Sequence, residues 1–141
     1  MMICPYLNYD GDAEQAFRFY QKVLGGELSE VHRFDGMPGH ELPPELAQRV
    51  MHVGLQLPGG MQLMASDTLP GMGPPRVVGT NYAISVHPSS REEAERFFAG
   101  LGEGGQVTMP LEDQFWGDYY GSVVDAFGVH WMINYNEATA G

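Results

Sequence analysis

"YDGDAEQAFRFYQKVLGG" (residues 9–26) and "HPSSREEAERFFAGLGEGG" (residues 87–105) are one passage written twice. Ala16 matches Ala94, Phe19 matches Phe97 and Tyr20 matches Phe98, all at one offset of 78 positions. Each copy predicts a helix. Ala13, Ala16, Phe17 and Tyr20 fall at i, i+3, i+4 and i+7, as do Ala94, Phe97, Phe98 and Leu101. That spacing gathers apolar side chains on one helical face. Asp12 with Gln15, and Ser90 with Glu93, carry the spacing of a helix-starting capping box. Gly25-Gly26 and Gly104-Gly105 follow the two helices, where a left-handed turn costs glycine least.

The flanks repeat as well. Short β-prone runs, "ICPYLNY" (3–9) and "TNYAISV" (80–86), precede the helices. Hairpins follow them: "HVGLQLPGGMQLMAS" (52–66) turns at Pro58-Gly59-Gly60, and "GSVVDAFGVHWMIN" (121–134) turns near Asp125 to Gly128. Superposing the turns pairs Met64 with Met132. The economical reading is a single α+β domain spanning 1–141, built of two βαβββ halves, about 1–69 and 77–136. The Pro/Gly-rich stretch "PGMGPPRVVG" (70–79) links them. One helix cannot cover four strands, so two such sheets are expected to combine into a cupped mixed sheet that binds a small molecule. The long segment "DGMPGHELPPELAQR" (35–49) reads as a surface excursion or as a lid over that site.

Bulk properties exclude several classes. Eighteen acidic against seven basic residues give a net charge of −11. That is the wrong sign for nucleic acid or for an anionic membrane surface. Cys4 is the only cysteine, which rules out an intrachain disulfide and a multi-thiolate metal site. No apolar run approaches the about 18 residues of a membrane span. "MMICPYLNYDGD" lacks the basic and apolar regions of a signal peptide, so a cytoplasmic location is expected.

With these pieces in view, the chain resembles the vicinal-oxygen-chelate superfamily of glyoxalases, extradiol dioxygenases and bleomycin or fosfomycin resistance proteins. Within it the chain looks like the PhnB-like group. The likeness is carried by "PYLNYDGDAEQAFRFYQKVLGGEL", "MHVGLQLPGGMQLMASD" and "GGQVTMPLEDQFWGDYYGSVVDAFGVHWMIN", which together span nearly the whole chain. A ubiquinone methyltransferase name sometimes attached to such proteins finds no support, because no glycine-rich loop suited to a methyl-donor nucleotide is visible.

Metal-dependent members place four ligands on strands, two per half. Carried over through the repeat, the resemblance puts those positions at Pro5 (or Tyr6 with a slip of one), Met64, Asn81 and Met132. Proline offers no donor, thioethers suit Cu(I), and one Asn carbonyl is weak, so no metal and no other cofactor is expected. Of the five histidines, His32, His40 and His87 read as solvated side chains. His52 and His130 lie in the hairpins. Strand alternation puts His130, Met132 and Asn134 on one face, and Val129, Trp131 and Ile133 on the other.

"FWGDYYG" (115–121) packs four aromatics into seven positions. As core they would cover a sheet edge; as site they would offer stacking area and hydroxyls to a planar or apolar ligand. Asp118 either stays solvated or meets a cationic group. The acidic charge favours a cationic or neutral ligand over a phosphate or phosphonate.

Two functions follow. The favoured one is a metal-independent small-molecule-binding protein of the sequestration type, as in the bleomycin-sequestering members the chain resembles. Its expected lining is Tyr6, Met64, Asn81, Trp116, Tyr119, Tyr120, His130 and Met132. The alternative is a lyase, isomerase or dioxygenase in which His52 or His130, with Asp67, supplies acid–base groups or atypical metal ligands. The expected partners are a small molecule and a second copy of the chain, as a homodimer, with neither nucleic acid nor membrane.

Overall fold

The structure is a computed structural model that describes residues 1–36, 39 and 41–138. The chain divides into two compact units, Met1–Val77 and Val78–Gly141. Among the described residues, no helix is long and apolar enough to cross a membrane.

In the first unit, β1 (Tyr6–Tyr9) leads to α1 (Ala13–Leu24), then to the short strands β2 (Glu27–Leu28) and β3 (His32–Arg33). A 3-10 turn (Phe34–Gly36) and a one-turn helix, α2 (Pro44–Ala47), precede the hairpin of β4 (Val50–Gln56) and β5 (Gln62–Asp67). The sheet order is β1-β5-β4-β2, with β3 also on β4, and β1 runs parallel to β5. The second unit repeats this plan more simply. It runs β6 (Ile84–Val86), α3 (Arg91–Gly102), β7 (Gln106–Asp113), β8 (Tyr119–Val124) and β9 (His130–Tyr135), in the order β6-β9-β8-β7 with β6 parallel to β9. Two mixed βαβββ sheets, each with one long helix, make the fold α+β as the repeat predicts. The second strand of the first unit is broken into β2 and β3, ahead of the 35–49 excursion. His40 lies outside the described residues. The neck of the excursion is closed by Phe34 N–H donating to Arg49 O (3.1 Å) and by Arg33 donating to Gln48 O (2.8 Å).

The apolar stripe of α1 is buried as its spacing predicts: Ala13, Ala16, Phe17 and Tyr20 are fully enclosed. Phe17 meets the Tyr9 ring edge-on, and the Tyr9 and Tyr20 hydroxyls bond to each other at 2.9 Å inside the core. Pairing these buried hydroxyls removes the penalty each would carry alone. The α3 stripe is shallower, with Ala94 and Leu101 buried and Phe97 and Phe98 half-buried.

The two helix starts differ from expectation in an instructive way. Ser90 Oγ accepts from Glu93 N–H at 3.1 Å, but Glu93 answers to the N–H and hydroxyl of Ser89 rather than to Ser90. Asp12 makes no side-chain cap bond at all. Asp67, at the end of β5, does that work instead, accepting from Gly11 N–H (3.0 Å) and Ala13 N–H (2.9 Å). A cap drawn from a distant strand ties helix to sheet, which a local cap cannot do.

The repeat also explains a pair of glycines. A Cβ on Gly26 would collide with Gln56 O, and one on Gly105 would collide with Val124 O. In each unit the chain leaves its helix by pressing bare backbone onto the hairpin strand.

Candidate functional site

In the first sheet, Val53, Leu55, Leu63 and Ala65 are buried, each at 2% exposure or less, beneath α1. Period-two alternation therefore puts His52, Gly54, Met64 and Ser66 on the opposite face. Tyr6 stands directly beside Met64 in the parallel β1–β5 register, and Gly54 stands on the other side of Met64. The Tyr6 hydroxyl lies 3.2 Å from His52 Nδ1, and the two rings are 5.9 Å apart. His32 is the register partner of His52 across β3–β4.

In the second sheet, Val123, Trp131 and Ile133 are buried under α3, which leaves Tyr120, Ser122, His130, Met132 and Asn134 on the opposite face. The alternation expected for β9 therefore holds. Met132 lies between Ser85 on β6 and Ser122 on β8, and Tyr120 lies opposite Asn134. Ser122 Oγ is 2.7 Å from Thr108 Oγ1, and Ser85 Oγ is 2.8 Å from His87 Nε2. Tyr82 meets the His130 ring edge-on at 5.4 Å.

The aromatic heptapeptide is divided by its geometry. Phe115 and Trp116 sit in the turn between β7 and β8 with exposures of 97% and 53%. Trp116 is therefore not core. Its Nε1 donates to Asp118 Oδ2 at 2.9 Å, and Asn136 Nδ2 donates to Asp118 Oδ1 at 2.6 Å. Asp118 stays partly exposed and accepts from neutral donors: the hydrogen bond from Asn136 holds its carboxyl below the usual range, partial burial opposes that, and Trp116 adds to it. Tyr120 faces away from α3, but Tyr119 faces toward it. The Tyr119 hydroxyl donates to Glu95 at 3.1 Å, and the Arg91 guanidinium lies 3.9 Å over its ring. Loss of solvent around Tyr119, and its bond to Glu95, push its phenol up from the ordinary value.

Three expectations are corrected here. Tyr119 belongs to the helix-covered face, because adjacent strand residues point to opposite sides. Asn81 lies in a bend ahead of β6, so the residue beside Met132 is Ser85. Asp67 is 3% exposed, and its second oxygen accepts from Val50 N–H at 2.8 Å. With three backbone amides on it, Asp67 is a structural clamp on the face opposite His52.

Of the positions that the resemblance assigns to metal ligands, the strands carry a phenol (Tyr6) and two thioethers (Met64, Met132), and the residue beside Met132 in place of Asn81 is a hydroxyl, Ser85. This set does not fit a hard or borderline divalent ion, which takes imidazole and carboxylate. Among the described residues, no group of three or more His, Cys, Asp or Glu is placed to hold an ion. Sequence reasoning missed Ser85 and the role of Asn136. The parallel register of β6 that decides Ser85 has no local signal, whereas Asn134 was already visible on the right face by alternation.

Two βαβββ units, each closing its first strand in parallel onto its last, define a class. The chain belongs to the Glyoxalase/Bleomycin resistance protein/Dioxygenase superfamily, whose family model matches residues 5–133. It is similar to protein YjdN of Escherichia coli strain K12, at 29% identity over 95% of both chains. It is similar also to the uncharacterized protein Mb0911c of Mycobacterium bovis, at 31% identity over 93% of this chain and 80% of that one. Among solved structures, PA1353 from Pseudomonas aeruginosa superposes with a TM-score of 0.85 at 38% identity, covering 96% of this chain and 98% of that one. The PhnB protein from Bacillus cereus superposes with a TM-score of 0.77 at 23% identity, over 96% of this chain and 99% of that one, a likeness of fold.

Proposed function

We propose that the chain is a small-molecule-binding protein of the sequestration type that works without a metal. The observation that carries this reading is the failure of the acid–base candidates to converge. The Asp67 carboxylate is taken up by three amides on the helix side of its sheet, while His52 points to the other side. General acid–base chemistry needs a proton-transferring group within hydrogen-bond reach of the reacting atoms and a partner that orients it. Binding needs only area and a few polar anchors. The helix-free face of each sheet supplies both on its own: Tyr6, Met64 and His52 in the first, and Tyr120, Met132 and His130 in the second, with exposed Trp116 on the turn that leads into β8. Thioethers and rings adapt to flat apolar ligands without chemistry.

A second reading, a lyase or isomerase, rests on the Tyr6–His52 pair, since a phenol bonded to an imidazole can relay a proton. A melting screen with planar aromatic compounds, run on chelator-treated protein, separates the two. The binding reading expects stabilisation that added metal does not change and compounds recovered intact. Stabilisation that appears only with metal, or conversion of the compound that Tyr6→Phe and His52→Gln abolish, would favour the enzyme.

A further inference from the structure

Two histidines meet on the helix-free face of the first sheet. His32 on β3 is the direct register partner of His52 on β4, and the register shifts between His32 and Arg33 as at a bulge. The neighbours of both residues fix the face they share. Arg33 reaches α1, where it donates to Glu14 at 2.6 Å, so His32 beside it points to the other side. Val53 is buried beneath α1, so His52 points the same way as His32. Directly opposed side chains on antiparallel strands stand with Cβ atoms about 4.5–5.5 Å apart. Two imidazoles can close on one ion across that span.

One of the two rings is already oriented. The Tyr6 hydroxyl lies 3.2 Å from His52 Nδ1. A phenol oxygen that accepts from Nδ1–H selects the tautomer whose Nε2 carries the free lone pair. Metal-binding imidazoles are held in this way, by a hydrogen bond on the far nitrogen. His32 is exposed and His52 half-buried, so an ion meets the pair from solvent without crossing the core. The net charge of −11 lowers the cost of adding a cation. Neutral imidazoles suit Cu(II), Ni(II) and Zn(II), whereas Mg(II) takes oxygen. Among the described residues no group of three or more His, Cys, Asp or Glu is placed to hold an ion, so water completes the coordination. Resident zinc ions have three or four protein ligands; two make an exchangeable site that desalting empties.

We propose that His32 and His52 form an exchangeable site for a divalent transition-metal ion, tightest for Cu(II), with Tyr6 as the positioning residue that acts through His52. The site uses strands β3 and β4 and stands apart from the positions that the family resemblance assigns to metal ligands. It does not rest on the small-molecule-binding reading, which needs no ion, and the failure of either leaves the other standing.

The test titrates copper(II) sulfate, below one equivalent, into labelled full-length protein and follows paramagnetic broadening of the amides. Broadening is expected first at His32, His52 and their neighbours on β3 and β4. Zn(II) is expected to shift the same amides with weaker affinity, in the order set by imidazole ligands, and Mg(II) to leave them in place. His32→Gln and His52→Gln are each expected to weaken Cu(II) binding there by about tenfold or more. Tyr6→Phe is expected to weaken it by about tenfold, the usual consequence of losing the partner that orients a ligand. Broadening spread evenly over the histidines, or centred on His87 or His130, overturns the site. Equal shifts with Mg(II) also overturn it, since they mark an unspecific cation atmosphere. Unchanged affinity in Tyr6→Phe removes Tyr6 from the proposal and leaves the pair. His32 is exposed on a two-residue strand, so His32→Gln alone decides the pair if His52→Gln fails to fold.

Discussion

Asp67 Oδ1 accepts from the Ala13 amide at 2.9 Å across 54 residues of sequence, in the buried interior of the first unit. The bond is one of three that draw the loop before α1, the first turn of α1 and the start of β4 onto one carboxylate. Asp67→Ala would strand three amides, two of them on buried bonds. The expected loss is ~3 kcal/mol or more in denaturant melts, since each orphaned buried donor carries about 1–3 kcal/mol. Asp67→Asn should lose much of the same, because its NH2 faces a donor. Ligand affinity in the folded fraction should stay unchanged. A catalytic Asp67 would show the reverse: full stability and altered turnover.

Glu14 gives a pH signature. Its carboxyl is held below the ordinary value, first by the hydrogen bond from Arg33 (2.6 Å) and then by that from Arg18 (2.7 Å), with burial opposing. A folded-state value below the unfolded one means that the stabilisation is fully present above the unfolded carboxylate range. It is lost as pH falls through the folded value. Glu14→Gln should therefore lower stability at neutral pH by ~0.3–1 kcal/mol, a figure kept small because Arg18 is well exposed. The difference from the parent should vanish in acid. A gap that persists at low pH would assign the effect to packing.

Metal content follows from donor chemistry. Protein supplied with Zn, Ni, Mn or Fe(II) and then desalted is expected to retain well under one equivalent, because the strand positions carry Tyr6, Met64, Ser85 and Met132. Elemental analysis decides this. One equivalent retained by the parent and lost in Met64→Leu and Met132→Leu would reverse the conclusion.

The fold was legible because the chain states it twice, and agreement between copies outweighs the ambiguity of any one segment. The α1 stripe, both hairpin turns and the alternation of β9 could be read from Ala13, Phe17, Pro58 and Trp131. What was illegible was non-local. Asp12 has every local mark of a cap, yet Asp67 takes its place, since only the folded sheet brings β5 to the helix start. Tyr119 and Tyr120 look equivalent in "FWGDYYG", and only the register of β8 against β9 sends one to α3 and the other to the helix-free face. Asn81 was one short strand out of position, because β6 has three residues and no turn signal fixes its start.

Assembly is the next expectation. Among the described residues β7 is an eight-residue edge strand paired only with β8, and it exposes Val107 and Met109 at 51% and 42%. An exposed apolar edge invites pairing with another chain. A homodimer is expected by light scattering, and Val107→Lys with Met109→Lys should shift it toward monomer without lowering the melting point of the monomer. A parent that is monomeric at every concentration would rule the dimer out.

The two tryptophans supply the last prediction because the fold treats them oppositely. Trp131 is 1% exposed, and its Nε1 donates to buried Asp125 at 2.7 Å. Trp116 is 53% exposed on the β7–β8 turn, held by Asp118. Trp131→Ala should cost ~3–5 kcal/mol through the cavity and the lost partner of a buried carboxylate. Trp116→Ala should cost no more than ~1 kcal/mol, the loss of one partly exposed hydrogen bond. If Trp116 contacts the ligand, the same change should weaken a planar aromatic ligand by about tenfold or more, the ordinary consequence of losing an aromatic anchor. Fluorescence gives an independent reading, since Trp131→Phe leaves Trp116 as the sole tryptophan. Its emission should respond to ligand, whereas the emission of Trp116→Phe, reporting Trp131 alone, should not. Undiminished affinity in Trp116→Ala would remove this turn from the site and leave binding to the strand residues.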